Sequence, residues 1–152
     1  MPLGRRLTET IMATYQFDKL FTPEEANELI PRLSALIRDL QAAANRLRVA
    51  ADEITEADPT MAELDLGAML ERSPHLKVIA NEMASVAAQI ESFGCYLKDI
   101  DRGLLDFPFE TGGEVAFLCW QYGEPQVLAW HSIEEGFGGR RPLPGAPKPW
   151  LN

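Results

Sequence analysis

The chain has 152 residues, enough for one domain with its own core, and its hydrophobic and charged fractions of 46% and 24% are those of an ordinary globular protein. Asp and Glu number 23 against 14 Lys and Arg, which gives a net charge of −9. Such a field repels a phosphate backbone, so we expect no nucleic acid partner. No segment approaches the ~18 apolar residues of a membrane span, and two cysteines without CxxC spacing favour a reducing compartment. We therefore expect a soluble cytoplasmic protein.

Residues 1–16 are predicted to be a flexible extension. The Arg pair in MPLGRRL is not followed by the apolar stretch of an export signal, and Met12 could be an alternative start. A single domain is predicted for residues 17–143, followed by a Pro-rich tail over residues 144–152.

The domain opens with a long predicted helix. Thr22 can cap it, Pro23 suits its first position, and Glu25 can complete a capping box. Pro31 should bend the helix, and the pattern stops near Asp58-Pro59. Apolar residues recur at spacings of three and four over four heptads: Ala26, Leu29, Leu33, Leu36, Leu40, Ala43, Leu47, Ala50 and Ile54.

A second helix is predicted after a short connector over residues 60–73 that holds one or two helical turns. Ser73 and Pro74 mark its start. Together, residues 17–97 are predicted to form a long antiparallel helical hairpin in which each seam covers the other. The second seam comprises Leu76, Ile79, Met83, Val86, Ile90, Phe93 and Leu97.

The length of the first helix favours a homodimer. Residues 23–57 would span ~52 Å as a helix, whereas a compact domain of this size is under ~40 Å across. A two-helix hairpin also leaves part of its apolar stripe in water. We therefore expect two copies to associate through a four-helix, coiled-coil-like arrangement.

Residues 98–143 are predicted to form a loop followed by a small β-hairpin. KDIDRGLLDFPFETGGEV is typical of a loop with one short extended piece, and GEP joins the strands EVAFLCWQY and QVLAWHSI. The fold class is thus predicted to be α+β, mainly α: a helical hairpin, kinked near Pro31, capped by a β-hairpin and followed by a Gly/Pro-rich tail.

Three blocks of the chain carry a family resemblance: FTPEEANELIPRL at 21–33, GCYLKDIDRGLLDFP at 94–108 and LCWQYGEPQVLAWHSIEEGFGGRRPL at 118–143. They resemble an uncharacterised, mostly bacterial family, the domain of unknown function 2203. The similarity covers about residues 17–143. It implies a soluble cytoplasmic protein and carries no known activity.

His131 is the leading candidate for chemistry, because a neutral imidazole can bind a metal or move a proton near pH 7. The alternative is a histidine hydrogen-bonded into a partly buried sheet. Asp106 and Glu124 are its candidate catalytic partners. Cys119 lies beside His131 if a three-residue turn pairs it with Ala129, and on the opposite face if the turn has two or four residues.

A metal site is the less favoured reading, and no cofactor is predicted. The chain has only two histidines, and His75 is expected in water at the start of the second helix. A divalent ion would have to combine His131 with Asp106, Glu124 or Asp101. Asp101, in KDIDRG, is also a candidate for ligand binding; the alternative is that it makes solvated salt links at a helix end.

The segment GFGGRRP contributes two candidate ligand-binding residues, Arg140 and Arg141. Backbone N–H groups and guanidinium groups could hold a carboxylate or phosphate. Alternatively, Arg140 pairs with Asp106 or Glu124 and ties the tail to the hairpin. Trp120 and Trp130 are predicted to fill the space between strands and helices, and are also candidates for lining a ligand pocket.

Two hypotheses of function follow. The preferred one is a non-enzymatic helical homodimer that binds another macromolecule, because most of the chain forms helical seams and no complete catalytic set is visible. The alternative is a small-ligand- or metal-binding protein, or an enzyme, that uses a polar cluster around His131.

Overall fold

A computed structural model describes residues 17–146 of the chain. It has a long helix, two shorter helices and then a five-stranded antiparallel sheet, which confirms the predicted α+β class. The predictions for residues 1–16 and for residues 147–152 lie outside the described part. The elements are α1 (Pro23–Ala57), a 3-10 helix (Pro59–Glu63), α2 (Leu66–Arg72), α3 (Pro74–Glu91), β1 (Tyr96–Asp99), β2 (Leu104–Thr111), β3 (Glu114–Gln121), β4 (Ala129–Ser132), a 3-10 helix (Phe137–Gly139) and β5 (Arg141–Pro142).

Helix α1 begins and ends where the sequence predicts. The hydroxyl of Thr22 accepts a hydrogen bond from the backbone N–H of Glu25, whose carboxylate accepts one from the N–H of Thr22, both at 3.1 Å. This reciprocal pair satisfies two donors that the first turn leaves open. The helix continues through Pro31 to Ala57, and a bend at Pro31 stays a prediction.

Helix α3 is shorter than predicted. The hydroxyl of Ser73 caps it as expected, but it ends at Glu91, whereas the predicted seam runs to Leu97. Gly94 follows with a φ of +100°, a conformation that reverses the chain at little cost only in glycine. The strand β1 then begins at Tyr96.

The prediction of a loop and a two-stranded hairpin for residues 98–143 is wrong. All five strands join in one sheet in the order β1-β2-β3-β4-β5, each antiparallel to the next. Strand β2 escaped prediction because all six residues from Leu104 to Phe109 are buried, so the sequence shows no polar–apolar alternation. Pro108 lies within β2, and a proline argues against a strand in sequence-based reasoning.

The two faces of the sheet bury different things. The inner face packs against α1 and α3, and its residues Leu105, Phe107, Leu118 and Trp120 join the main core. We call the opposite side, which carries Asp106, Phe117, Cys119 and His131, the outer face. Residues 133–137 form one wall of the pocket above it.

The first helix rests on two cores. Its first half contributes to the main core under the sheet, and α3 packs along it. The second half of this helix belongs to a smaller core made by Ala50, Met61, Met69, Leu76 and Ile79.

None of the helices in residues 17–146 is both long and apolar enough to cross a membrane.

Candidate functional site

Strand register brings three polar side chains together on the outer face. Asp106 in β2 lies directly opposite Cys119 in β3, and Cys119 pairs with Ala129 in β4. Because side chains alternate along a strand, His131, two residues after Ala129, shares that face. The pairing of Cys119 with Ala129 is the one expected for a three-residue turn. The connection between the two strands is longer, however, and comprises residues 122–128.

His131 uses both ring nitrogens. Its Nδ1–H donates to the carbonyl oxygen of Ser132 at 2.7 Å, and its Nε2 lies 3.0 Å from Oδ1 of Asp106. A carbonyl oxygen can only accept, so the hydrogen bond to Ser132 places a proton on Nδ1. Nε2 is therefore the ring nitrogen that can lose its proton and bind a metal ion instead.

The pair formed by His131 and Asp106 is almost completely buried, with exposed fractions of 3% and 4%. Burial by itself lowers the pKa of His131. The hydrogen bonds with Asp106, Cys119 and the Ser132 carbonyl, together with the charge of Asp106, outweigh it and raise that pKa from 6.5 to about 10. Without a bound ion, the imidazole therefore holds two protons at neutral pH.

Cys119 completes a set of three metal-binding groups. One ring nitrogen of His131, the sulfur of Cys119 and a carboxylate oxygen of Asp106 all lie within 4.8 Å of one another, and all three residues are buried. We call these residues the cluster. Imidazole, thiolate and carboxylate are the ligands that zinc and related ions take from proteins.

The cluster does not have the arrangement of a nucleophilic Cys–His–Asp relay. In such a relay the acid orients one ring nitrogen while the other takes the proton from the thiol. Here Nδ1 is engaged by the backbone carbonyl of Ser132, so Asp106 and Cys119 are both left with Nε2. Convergence of a carboxylate and a thiol on one imidazole suits an ion between them better than proton relay.

A pocket of about 300 Å³ opens directly above the cluster, and all three cluster residues line it. The ammonium group of Lys98 lies 5.2 Å from the centre of the Phe117 ring, at the same pocket. The remaining lining combines the apolar residues Leu104, Phe117, Ile133 and Phe137 with Gly136 and the acidic Glu134 and Glu135. The pocket thus gives a small molecule access to the buried cluster.

The far wall of the pocket is held in place by charged groups. The guanidinium groups of Arg102 and Arg140 lie 4.3 and 4.6 Å from the centre of the Phe137 ring. The carboxylate of Glu135 accepts hydrogen bonds from the Ser132 hydroxyl at 2.8 Å and from Arg141 at 2.9 Å. These contacts position the wall relative to β4.

Glu124 does not join the cluster. Its two carboxylate oxygens accept hydrogen bonds from Arg140 at 2.8 and 2.9 Å, and one of them also accepts from the N–H of Gln121. The same guanidinium group lies 3.5 Å from the carbonyl oxygen of Cys119. Arg140 therefore has the structural contact foreseen with Glu124, tying the chain after β4 to the β3–β4 connection.

The other predicted site residues lie away from the cluster. Trp120 is buried on the inner face, and its ring N–H donates to the carbonyl oxygen of Glu124 at 3.0 Å. Arg141 stacks on the ring of Trp130, 5.0 Å from its centre. Asp101 is exposed in the β1–β2 turn and its backbone carbonyl accepts from Gln41, while His75 is exposed at the start of α3.

Sequence reasoning missed Lys98 and Phe137 as pocket residues. Lys98 was assigned to a helix end, whereas it lies in β1. Phe137 lies in the segment GFGGRRP, whose arginines are the candidates from the sequence, and its side chain lines the outer pocket. The pairing of β1 with β2 brings Lys98 to the pocket, and nothing local in the sequence signals that pairing.

The fold and the cluster define an α+β protein in which a helical layer supports an antiparallel sheet, with an Asp–Cys–His cluster under a pocket on the opposite face. The chain belongs to the family of uncharacterised conserved proteins DUF2203, whose model matches residues 19–143. This match confirms the family resemblance seen in the sequence. No curated protein and no solved structure matches the chain.

Proposed function

We propose that this protein binds a divalent transition-metal ion, zinc above all, through Asp106, Cys119 and His131. The observation that carries the proposal is the convergence of a carboxylate, a thiol and an imidazole from three neighbouring strands, with the imidazole oriented by a backbone carbonyl. Metal-bound histidines are commonly oriented by a hydrogen bond from the other ring nitrogen.

The donor set favours zinc over the hard cations. Mg²⁺ and Ca²⁺ prefer sites built from oxygen ligands, and the cluster offers one carboxylate. A thiolate together with an imidazole selects zinc and the later transition metals. Three protein ligands leave one position of a tetrahedral ion open, and here that position would face the pocket.

His131 and Asp106 need only a small rearrangement to hold the ion together. With zinc bonds of ~2.0–2.3 Å, tetrahedral ligand atoms lie roughly 3.3–3.7 Å apart. Nε2 of His131 and Oδ1 of Asp106 are 3.0 Å apart, so they must separate by a few tenths of an ångström. The ion would replace the proton that the two groups share and remove the need for a buried imidazolium.

Cobalt substitution tests the metal site. Metal-free protein, purified without an affinity tag, is titrated with Co²⁺, and one equivalent is expected to produce a thiolate-to-cobalt charge-transfer band and visible d–d bands. Cys119→Ser should abolish the charge-transfer band. Asp106→Asn and His131→Gln should lower the affinity for Zn²⁺ by at least about tenfold, as the loss of one ligand implies.

Cys95→Ser is the matched control. Cys95 is also buried, but its thiol donates to the carbonyl oxygen of Ile90 in the main core, and burial raises its pKa to about 12. This variant should keep the cobalt spectrum. Absence of stoichiometric binding, or a thiolate band that persists in Cys119→Ser, would show that the cluster has a purely structural role.

We propose as a second candidate a non-enzymatic cytoplasmic homodimer that binds another protein through its paired helices. The supporting observation is that Val49 on α1 and Val78 on α3 are 47% and 58% exposed, and both border one groove between these helices. Exposed apolar side chains on both helices at one groove favour association there, and Arg46, Glu53 and Glu82 place charged groups along the same groove. This candidate is compatible with a metal at the other side of the sheet.

A further inference from the structure

We infer that the pocket above the cluster binds a small carboxylate with an apolar body, the carboxylate occupying the open position of the metal beside Lys98. This inference rests on the metal site proposed above and names the class of molecule that reaches it.

Access to the ion is the first step of the argument. Asp106, Cys119 and His131 all line the pocket, although their side chains are buried in the sheet. A fourth ligand can therefore arrive only from the pocket side, because the helices cover the inner face. The pocket decides what that ligand is.

The size and walls of the pocket are the second step. A volume of about 300 Å³ is at the lower end of the range for small-molecule sites, so the ligand is small. Phe117 and Phe137 contribute aromatic atoms to the lining, and Leu104 and Ile133 add aliphatic surface. An aromatic or short aliphatic body fits such walls.

Charge is the third step. A divalent ion held by a thiolate, a carboxylate and a neutral imidazole has no net charge, so the neighbouring groups set the preference. No carboxylate in residues 17–146 lies within ion-pair distance of the Lys98 ammonium group. Glu135 is paired with Arg141, and Glu134 and Lys98 are both exposed, so solvent screens these two charges alike. The Lys98 ammonium group, however, lies against the Phe117 ring at the pocket. Lys98 thus favours an anionic ligand.

Benzoate is the probe, and neutral benzamide and cationic benzylamine are its charge controls. With zinc-loaded protein, calorimetry is expected to show binding of benzoate at least tenfold tighter than that of either control. Lys98→Met should weaken benzoate binding about tenfold, which corresponds to one charge-assisted hydrogen bond. Lys77→Met, an exposed lysine on α3, should leave it unchanged. In the cobalt protein, benzoate should also shift the d–d bands.

The outcomes separate the two proposals. If the protein binds cobalt at Cys119 but benzoate neither binds nor shifts the d–d bands, the carboxylate inference is wrong and the metal site stands. Tighter binding of benzylamine than of benzoate would also overturn it, since Glu134 would then dominate the charge. Equal benzoate affinity in Lys98→Met and in the wild type would show that Lys98 does not bind the carboxylate. If no metal binds, both proposals fail.

Discussion

In the metal-free protein, the environment of His131 keeps its imidazole protonated on both nitrogens. Its two ring nitrogens face a carbonyl and a carboxylate inside the protein, and neither partner can donate while Asp106 is ionised. A neutral imidazole there would leave Nε2 facing a carboxylate without a hydrogen between them. Binding of a metal ion removes that conflict, which is why a vacant cluster and an occupied one should differ in stability.

The stability of the metal-free protein is expected to fall as pH rises from 6.5 to 9. The folded pKa of His131, about 10, is above its value of 6.5 in the unfolded chain, so the folded state binds the proton more tightly. This stabilisation is complete below pH 6.5 and is lost toward pH 10, at no more than about 1.4 kcal/mol per pH unit. Urea denaturation in the presence of EDTA measures it.

The His131→Gln variant provides the control for this pH dependence. Gln is neutral and can still donate to Asp106, so the slope of unfolding free energy between pH 6.5 and 9 should flatten. This window ends at the ordinary pKa of Cys95, 9.0, above which the raised pKa of that buried thiol adds its own pH dependence. An unchanged slope in His131→Gln would refute the assignment.

Single-residue chemistry was only partly visible in the sequence. His131 and Asp106 were candidates because a histidine and an acid among apolar residues are conspicuous. The place of Cys119 depended on strand register, which a sequence with an unknown turn length leaves open. Glu124 was a candidate on equal grounds, and only the structure shows that Arg140 engages it.

At the scale of elements, the helices were predictable and the sheet was not. Caps such as Thr22 and Ser73 act within one turn, so they are legible in the sequence. Strand β2 has no such local signal. Its residues are buried by distant parts of the chain: α1 on the inner face and the residues that line the pocket on the outer face. Turn residues mark its ends, but they were attributed to a loop.

Two glycines in turns allow the cost of a positive φ to be separated from the cost of close packing. Gly103 in the β1–β2 turn and Gly112 in the β2–β3 turn have φ values of +66° and +59°. A Cβ at Gly103 would lie 2.5 Å from the Cβ of Tyr122 and 3.1 Å from Ile37, whereas one at Gly112 would meet nothing within 4 Å. Gly112→Ala is therefore expected to cost about 1 kcal/mol and Gly103→Ala about 2–4 kcal/mol.

Denaturant unfolding of both variants tests this difference, since the two substitutions share the unfavourable φ and differ in available space. The N–H of Tyr122 donates to the carbonyl oxygen of Gly103 at 2.9 Å, so the turn cannot move away from β3 without losing that bond. Equal destabilisation would mean that the β1–β2 turn packs less tightly than described.

In the whole molecule, one end of the long helix α1 lies in the large core under the sheet and the other end lies in the smaller core, and the proposed dimer forms along this helix. The 35 residues of α1 span ~52 Å, and the end far from the sheet packs in the smaller core. Light scattering is expected to show a dimer at micromolar concentration. Val78→Glu should shift it to monomer, because a charge would be buried at the groove.

Leu66→Glu is the matched control, since Leu66 on α2 is 52% exposed and does not border that groove. It should leave the dimer intact. A wild-type protein that stays monomeric at all concentrations, or dimers that tolerate Val78→Glu, would argue against association through α1 and α3.

The alternation of β3 has a consequence for how the chain tolerates change. Trp120 and Cys119 are adjacent, so the ring that fills the core and the sulfur under the pocket occupy opposite sides of the same strand. Adding one residue inside β3 would turn the indole outward and the sulfur inward, erasing hydrophobic packing and chemistry in one event. Added residues at the exposed Pro125–Gln126 tip of the β3–β4 connection would leave both intact, so variation in length is compatible with this protein at that tip and incompatible with it a few positions earlier.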